Sequence, residues 1–383
     1  MNLQDKSQEA MATKPILQIV SGFKPSVDGM GDFTRLLGKA LWEQHQLPNH
    51  FLVYRRPPTP LDPAEIAPNL LFYPAEATAA GLRTTLADLL ATQTYAAALV
   101  HYGPYAYSPK GNPAAFASAI HELEGKTPVL VFFHEMFSKG MPWQRAFWTQ
   151  PEQKRTIASL LKLSVASFTS NEGFCKRLEV FNSARRPLTT IPIFSNIGEP
   201  ENLKPLSQRA RQMVIFGQGH TRNRLYKEHL PTLETMCRTL AIESVIDVGS
   251  GQSPNLPTRM GAAPVRSAGF LDERQLSELM ADSVAGVLGY WSDVWEKSGV
   301  MASYLAHGLL PLLVELEPRS MPKQPVVPYL LPEELAAAVC ERGALSPEKL
   351  QAAATAAHDY YQQRQSVKHC AQVIAAFATQ PKT

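Results

Sequence analysis

The sequence predicts an α/β protein of two doubly wound halves. Short apolar runs of strand length alternate with amphipathic helical segments, a pattern typical of a parallel sheet covered on both faces. The alternation stops at a polar stretch, residues 198–212, and then restarts. The length of 383 residues suits two domains that each bury a core.

The first half begins with a buried strand and a glycine-containing turn. ILQIV, from Ile16, is a β-branched run that ends at Ser21 and Gly22. From Asp32 we expect an amphipathic helix with apolar residues on one face and charged residues on the other. Further strands are expected at 50–54, 97–102, 129–134, 166–170 and 189–193, with helices at 81–93, 114–123 and 153–163.

The second half repeats this order after a linker. Residues 198–212 are the linker candidate because they are polar and contain Pro200 and Pro205. We expect strands at 213–217, 244–249 and 285–291, helices at 228–240 and 275–283, and a long helical segment at 346–379. These boundaries predict domains at 14–200 and 201–355, followed by a C-terminal helix and tail at 356–383.

Composition argues against several classes of protein. Lys and Arg number 37 against 34 Asp and Glu, so the net charge of +3 gives no electrostatic footprint for nucleic acid or for a membrane, whatever local patches exist. No apolar run approaches the roughly 18 residues that span a bilayer, and the polar first 15 residues do not form a secretory signal. We therefore expect a cytoplasmic protein, with peripheral membrane contact left open. Four cysteines without CxxC spacing predict buried thiols rather than a zinc site or disulfides: Cys175, Cys237, Cys340 and Cys370.

Three segments carry the candidate ligand-binding residues. The first is the loop after the first strand, where Gly29 and Gly31 precede a helix. Glycines there let a ligand approach main-chain N–H groups at the positive end of the helix. The alternative is an ordinary tight connection, because the loop lacks both the GxGxxG and the GxxxxGK[ST] fingerprints.

The second segment is the corresponding turn of the second half, FGQGHTRNRLYK. Arg222, Arg224 and Lys227 follow a strand and stand near Gly219, where a fork of cations suits a diphosphate. Open α/β sheets bind ligands beyond the carboxyl ends of their strands, which favours this position. The alternative is a set of solvated basic side chains.

The third segment is WEKSGVMASYLAHG. Ser298 and Gly299 open a helix that ends near Gly308, so the N–H groups of Ser298, Gly299 and Val300 are a candidate anion site. Glu296 and Lys297 beside them are candidates to contact a ribose or phosphate. The alternative is a capped helix without a ligand.

Two histidines end strands of the first half. His134 follows VLVFF and precedes Glu135, where a histidine can donate a hydrogen bond or shuttle a proton. His101 has the same strand-end position, and Tyr102 and Tyr105 next to it offer a surface for stacking on a sugar. For each, a structural role in the core is the alternative.

Together these segments resemble the two-domain glycosyltransferases of the GT-B fold, in particular the retaining family 4. The resemblance follows chain order through PSVDGMGDFTRLLGKAL, VLVFFHE, SVASFTSNEGFCKRLEVF, TTIPIFSNIG and VIFGQGHTRNRLYK. It implies two Rossmann-like doubly wound domains facing a central cleft, with the C-terminal helix packing back toward the N-terminal domain.

The same resemblance implies a function. It gives a nucleotide-diphosphate sugar as donor, bound mainly by the C-terminal half, and a glycan, lipid-linked or small-molecule acceptor bound by the N-terminal half. No cofactor and no metal are implied. The implied catalytic residues are His134, Arg222 and Lys227. The implied donor-binding residues are Gly29, Gly31, Gly219, Arg224, Gly251, Glu296, Lys297, Ser298, Gly299 and Val300, and the implied acceptor residues are His101, Tyr102 and Tyr105.

One departure from the family pattern leaves an alternative function open. The family has two glutamates separated by seven residues near the donor, but alignment on Gly308 places Ser303 at the second position and Glu296 beside the first. A relative that binds nucleotide or glycan without turnover, or acts as a scaffold, is therefore an alternative. A second alternative interprets IDVGSG, Asp247 to Gly251, as the cofactor loop of an S-adenosylmethionine methyltransferase.

Overall fold

The chain forms two compact units, each built on a parallel sheet. The computed structural model describes residues 14–23, 29–57, 66, 69–316, 329–331 and 346–379. Unit 1 comprises residues 1–191 and 367–383, and unit 2 comprises 192–366. The structure divides after residues 191 and 366, whereas the sequence boundaries at 200/201 and 355/356 lie nine residues later and eleven residues earlier.

Unit 1 contains a seven-stranded parallel sheet in the order β3-β2-β1-β4-β5-β6-β7. β1 is buried along its whole length, as its run of branched apolar residues predicts. The strands are β1 (Ile16–Val20), β2 (Asn49–Val53), β3 (Leu70–Phe72), β4 (Ala97–Tyr102), β5 (Val129–Phe133), β6 (Ala166–Thr169) and β7 (Leu188–Thr190). The helices are α1 (Gly29–His45), α2 (Ala79–Thr92), α3 (Ala114–Ile120), α4 (Arg145–Leu163) and α5 (Glu172–Glu179).

Unit 2 contains a six-stranded sheet in the order β10-β11-β9-β8-β12-β13, in which only the β10–β11 pair is antiparallel. The strands are β8 (Ala210–Phe216), β9 (Ser244–Val248), β10 (Arg259–Met260), β11 (Ala263–Gly269), β12 (Ser283–Tyr290) and β13 (Leu310–Glu315). The helices are α6 (Gly219–Thr239), α7 (Glu273–Ala281), α8 (Gly299–Ala306) and α9 (Pro347–Arg364). A final helix, α10 (Val367–Ala378), belongs to unit 1, where it packs on α1 and Phe377 meets Phe168.

Several boundaries differ from the sequence prediction for identifiable reasons. β8 begins at Ala210 and takes the last residues of the expected linker, because Ala210 donates a backbone hydrogen bond to Asp282. β7 ends at Thr190 rather than residue 193, just before Pro192, which lacks the N–H that a strand needs. The expected helix at 346–379 is two helices, broken at Gln365, whose side-chain amide donates to the Ile193 carbonyl.

The expectations about membrane-spanning segments and about the cysteines can be compared with the described residues. Among the described residues, no helix is long and apolar enough to cross a membrane. Cys175, Cys237 and Cys370 are buried free thiols as expected, and Cys340 lies outside the described residues.

Candidate active site

Each sheet has a switch point where its strand order reverses. In unit 1 the chain leaves β1 for β2 on one side and later returns to β4 on the other; in unit 2 the same occurs at β8, between β9 and β12. Ligands of open α/β sheets bind beyond the carboxyl ends of the strands at such points. His101 and His134 stand at these ends in unit 1, and Gly217 at the end of β8 in unit 2.

The two histidines of unit 1 are joined by a buried chain of hydrogen bonds. Asn49 Nδ2 donates to the carbonyls of Gly38 at 2.9 Å and Leu47 at 3.0 Å, so Asn49 Oδ1 is an acceptor. It accepts from Gln18 Nε2 at 2.7 Å. The chain therefore begins at two backbone carbonyls, which fix its direction.

That direction determines which nitrogens of the histidines carry protons. Gln18 Oε1 accepts from His101 Nε2 at 2.9 Å, so His101 Nδ1 is the acceptor for His134 Nε2–H at 3.0 Å. Burial lowers the pKa of His101 from 6.5 to about 3, so this ring is neutral at physiological pH. The chain thus holds the Nε2 edge of His134 toward the core.

Aromatic rings enclose His134 on two sides. Phe132 stacks on it with centroids 4.5 Å apart, and Phe33 meets it edge-on at 4.9 Å. His134 is 8% exposed, so only a narrow part of the ring reaches solvent. Packing and hydrogen bonding together fix its orientation.

The other predicted site residues of unit 1 differ in their surroundings. Gly29 and Gly31 are the first residues of α1 rather than loop residues, and a Cβ at Gly31 would collide with the Gly22 carbonyl oxygen. His101 and Tyr102 are fully buried, so neither can contact an acceptor directly. Tyr105 remains partly exposed and donates to Ser138 Oγ at 3.2 Å. The preceding segment, residues 24–28, lies outside the described residues.

In unit 2, Arg222 points into the protein rather than toward a ligand. Its side chain is 3% exposed and forms an ion pair with Asp247, which Tyr226 and Ser267 also contact. Its remaining hydrogen bonds go to four backbone carbonyls: Gly217, Gly249, Ser250 and Gly251. The expectation that Arg222 grips a diphosphate directly is therefore not met, because all three guanidinium nitrogens already donate within the fold.

The glycines of unit 2 interlock two loops behind this ion pair. Gly219 donates its N–H to the Ser250 carbonyl at 2.9 Å, and a Cβ on Gly219 would lie 2.8 Å from the Gln252 oxygen. Gly251 has φ +79°, in the left-handed region that favours glycine. Gly219 and Gly251 therefore support the structure of the two loops, and their contact with a donor stays a prediction.

The basic residues after Gly219 are helical rather than part of a loop. α6 begins at Gly219, so Arg224 and Lys227 lie in its second and third turns. Arg224 pairs with Glu228 at 2.9 Å and donates to the Leu316 carbonyl at 3.2 Å. Lys227 is exposed on the helix surface and stays a candidate cation.

The start of α8 is the most open group of main-chain donors predicted for the site. Ser298 caps the helix by accepting from the Met301 N–H at 3.2 Å. Ser298 N–H itself donates to the Trp295 carbonyl at 2.9 Å, so it does not belong to the anion site. Gly299 and Val300 are the first two helical residues, whose N–H groups have no partner within an α-helix.

The β8 turn and the start of α8 lie side by side. A Cβ at Gly217 would stand 3.8 Å from Val300 Cγ2, and a Cβ at Gly299 would stand 3.6 Å from Asn196 Oδ1. Lys297 is half-buried in the 3-10 turn that precedes α8. A helix N-terminus, a glycine turn and a lysine therefore meet beside the switch point of unit 2.

Glu296 and Ser303, the positions compared with the family's glutamate pair, are both buried. The Glu296 backbone carbonyl accepts a hydrogen bond from Ile193 N–H at 2.9 Å. Burial of Tyr360 and, to a smaller extent, the negative charge of the Glu296 carboxylate raise the pKa of Tyr360 to about 12. Ser303 Oγ donates to the Gly299 carbonyl at 2.8 Å and lies 3.2 Å from Ser195 Oγ. Ser303 thus braces the first turn of α8 and offers no charge.

Sequence reasoning missed the residues that support the site from behind. Gln18 is a polar residue inside the apolar run ILQIV, and that anomaly is the signal that marks it. Asn49 begins a strand and carries no motif. Asp247 lies in the IDVGSG motif, which gave no indication that it pairs with Arg222. Among the described residues no cluster of His, Cys, Asp and Glu is arranged to hold a metal ion.

The comparisons with known proteins give structural similarity only. No family model and no curated protein sequence match the chain. An E. coli structure described as trehalose-6-phosphate bound with UDP-2-fluoro glucose matches with a TM-score of 0.61 and 10% identity, over 96% of this chain and 99% of the other. An α-glucosyltransferase in complex with UDP matches with a TM-score of 0.57 and 10% identity, over 95% and 99%.

These matches extend over both units and share their architecture. The chain has the GT-B fold. The predicted fold class of two Rossmann-like domains is therefore confirmed, while membership of family 4 is a finer statement that the matches leave open. A Listeria monocytogenes structure assigned as a UDP-N-acetylglucosamine 2-epimerase also matches, with a TM-score of 0.57 and 12% identity over 95% of each chain. The GT-B fold thus accompanies more than one reaction, and function must be argued from the site.

Proposed function

We propose that the protein is a glycosyltransferase that moves a sugar from a nucleoside diphosphate donor to an acceptor. Unit 2 binds the donor and His134 of unit 1 contacts the transferring sugar. The observation that carries the proposal is the meeting of the α8 N-terminus with Gly217 beside the unit 2 switch point. The structural matches bound to UDP or a UDP-sugar support the same donor class.

The start of α8 suits the charge that develops during transfer. As the glycosidic bond breaks, the departing diphosphate gains negative charge. The N–H groups of Gly299 and Val300 and the positive end of the helix dipole stabilise that charge without reorganisation. Lys297 adds a full positive charge next to them, and Lys227 is a second candidate. This set of donors serves a transfer that needs no metal.

Arg222 contributes indirectly in this proposal. Its Nε donates to the Gly217 carbonyl at 2.9 Å, so it fixes the peptide that lies against Val300. Arg222 is therefore a positioning residue: it sets the shape of the turn on which the diphosphate rests. Gly251 and Gly219 act through the same loop contacts.

His134 supplies the unit 1 contact. Its Nε2 donates to His101, which fixes the orientation of the ring. The resemblance to family 4 assigns this fixed ring to the hydroxyls of the donor sugar. Retention of anomeric configuration is proposed from the resemblance to retaining family 4. The leaving phosphate then accepts the acceptor's proton, which suits a site where Ser303 replaces a carboxylate.

The buried hydroxyl at Ser303 also favours a second candidate function. Its hydrogen bonds to Gly299 and its contact with Ser195 are structural, so a protein that binds nucleotide without turnover is compatible with them. Product analysis separates the two: transfer yields a sugar–acceptor bond, whereas the binding protein retains the intact nucleotide sugar.

The donor site is tested by adding a charge where the helix tolerates one. Asp is favourable in the first turn of a helix, so Val300→Asp should fold normally while its carboxylate repels a diphosphate. We expect UDP-, GDP- or ADP-sugar to raise the thermal midpoint of the wild type and to bind Val300→Asp at least about tenfold more weakly.

Val300→Asn is the matched control, because it has the same shape without the charge. Lys297→Ala tests the cation beside the start of α8, and Lys204→Ala, at an exposed lysine, is its control. The donor site is assigned wrongly if no nucleotide stabilises the wild type, or if Val300→Asp binds as tightly as Val300→Asn. Transfer is then followed with the nucleotide that binds. Free sugar without an acceptor product indicates a hydrolase, whereas an epimeric nucleotide sugar indicates an epimerase.

A further inference from the structure

A compact group of exposed apolar side chains follows His134 in unit 1. Met141, Trp143, Phe147 and Trp148 are 52%, 76%, 42% and 71% exposed, and we call them the Met141–Trp148 surface. They are four of the nine large exposed apolar residues among those the structure describes, yet they fall within eight residues of sequence. Scattered apolar residues are normal on a surface, but a cluster of this kind marks an interaction site.

The backbone holds this surface in a fixed shape. Met141 N–H donates to Gln144 Oε1 at 2.9 Å, and Gln144 N–H donates back to the Met141 carbonyl at 2.8 Å. A Cβ at Gly140 would stand 2.9 Å from Ala146 Cβ, so glycine lets the loop pack against the first turn of α4. The apolar side chains stand on a segment that is already ordered, so binding a partner costs less conformational entropy.

The polar atoms at the surface are compatible with an apolar partner. Trp148 Nε1–H donates to the Pro142 carbonyl at 2.7 Å, so the indole needs no hydrogen bond from a partner. Phe147 meets Trp148 edge-on at 5.3 Å. An indole with its N–H satisfied enters an apolar environment without leaving an unpaired donor.

The charged residues within the segment that carries this surface have one sign, and Glu135 and Glu152 lie just outside its two ends. Residues 136–151 contain no Asp or Glu, while Lys139 and Arg145 are both exposed. Trp and Phe beside Lys and Arg are the residues that occupy the interface of a bilayer, and cations attract its anionic headgroups. A sugar platform would instead surround its rings with polar side chains and carboxylates that bind hydroxyls.

We propose that the Met141–Trp148 surface docks on an anionic phospholipid bilayer, with the two tryptophans and Phe147 inserted at headgroup level and Lys139 and Arg145 on the phosphates. The surface comprises the end of the β5–α4 connection and the first turn of α4, and it begins seven residues beyond His134. Docking brings that edge of the unit 1 sheet to the lipid. The inference does not depend on sugar transfer, since binding to vesicles requires no nucleotide.

The test is cosedimentation of the full-length chain with sucrose-loaded vesicles. Phosphatidylcholine vesicles are compared with equimolar phosphatidylcholine and phosphatidylglycerol. We expect binding to the mixed vesicles, and Trp143→Ser with Trp148→Ser should lower the partition coefficient at least about tenfold, because each indole leaves the apolar phase. Lys139→Gln and Arg145→Gln should each lower it about fivefold on the anionic vesicles and leave phosphatidylcholine binding unchanged.

Val180→Ser with Phe270→Ser is the matched control, since these side chains are 81% and 78% exposed and lie elsewhere. Trp143→Ser alone keeps the Trp148 hydrogen bond and guards against misfolding, which the circular dichroism melting curve checks. The proposal is overturned if the wild type does not pellet with anionic vesicles, or if the control pair loses as much binding. It is also overturned if maltoheptaose, and not lipid, shields the tryptophans from iodide quenching.

Discussion

The two units support their candidate site residues by different physical means. In unit 1 a neutral chain from Asn49 through Gln18 and His101 orients a single ring, that of His134. In unit 2 a buried ion pair between Arg222 and Asp247 holds the carbonyls of two loops. A neutral chain fixes the proton position of one side chain, whereas a buried charge fixes several backbone groups at once.

The largest expected effect tests the charged support of unit 2. Asp247→Ala leaves the Arg222 guanidinium buried without its counter-ion, so we expect unit 2 to lose about 3–5 kcal/mol of unfolding free energy. Urea unfolding at neutral pH measures it. The exposed pair of Lys204 and Asp282 is the comparison, and Lys204→Ala should cost less than about 1 kcal/mol. Equal losses would contradict the assigned role of the buried pair.

The next prediction concerns the pH dependence of stability, which arises from one buried neutral histidine in each unit. Burial lowers the pKa of His101 to about 3, and burial with nearby Arg209 and His358 lowers that of His307 to about 4, against 6.5 in the unfolded chain. Between these values only the unfolded chain binds the proton. Stability is therefore full above pH 6.5 and falls as the pH decreases, by about 2 kcal/mol for each histidine at pH 5.

Urea unfolding at pH 7 and pH 5 checks this dependence. His101→Gln should remove the part of this loss of unfolding free energy that arises in unit 1, and His307→Gln the part that arises in unit 2. The exposed His220→Gln should leave the difference between pH 7 and pH 5 unchanged. His307 faces Ser277 and the Ser303 carbonyl, so its substitution is interpreted by the pH difference rather than by absolute stability. A pH difference that survives both buried substitutions would show that carboxylates dominate it.

A smaller effect tests the neutral support of unit 1. Gln18→Leu leaves Asn49 Oδ1 and His101 Nε2–H without a partner, which should cost about 1–2 kcal/mol of unfolding free energy. It should also release the fixed tautomers. Nitrogen-15 shifts of the His101 and His134 rings report which nitrogen is protonated, and a wild-type tautomer pattern in Gln18→Leu would contradict the proposed chain.

The smallest effect contrasts two glycines that the sequence presents alike. Gly219→Ala places a Cβ 2.8 Å from backbone atoms of Gly251 and Gln252, so we expect a loss of about 1 kcal/mol or more. Among the described residues, no heavy atom lies within 4 Å of a Cβ added at Gly29, so Gly29→Ala should change stability by less than about 0.5 kcal/mol. Thermal unfolding measures both, and equal effects would mean that the loops of unit 2 are not interlocked.

The sequence predicted the fold well because its signals are local. Apolar runs of strand length, glycine turns and helix caps such as Ser298 depend on near neighbours, and the structure has them close to where they were expected. Periodicity does not mark the exact start of a helix, so α6 and α1 begin several residues earlier than predicted.

The site was predicted less well because the direction of a side chain depends on distant residues. Arg222 turns inward because Asp247, in the next strand, meets it, and no local pattern connects the two. Tyr102 and His101 point to opposite faces of β4, and both are buried because this strand is covered on both faces. His134 is also largely buried, but it directly follows the end of β5, so a narrow part of its ring reaches solvent.

The return of α10 to unit 1 also affects how the chain folds during synthesis. Residues 14–191 emerge first, yet α10, which packs on α1 and Phe168, is made only after the whole of unit 2. At ordinary translation rates roughly 10–40 s separate the two events. During that interval the α1 face and Phe168 lack their partner, so the nascent first domain exposes apolar surface that a chaperone is suited to shield.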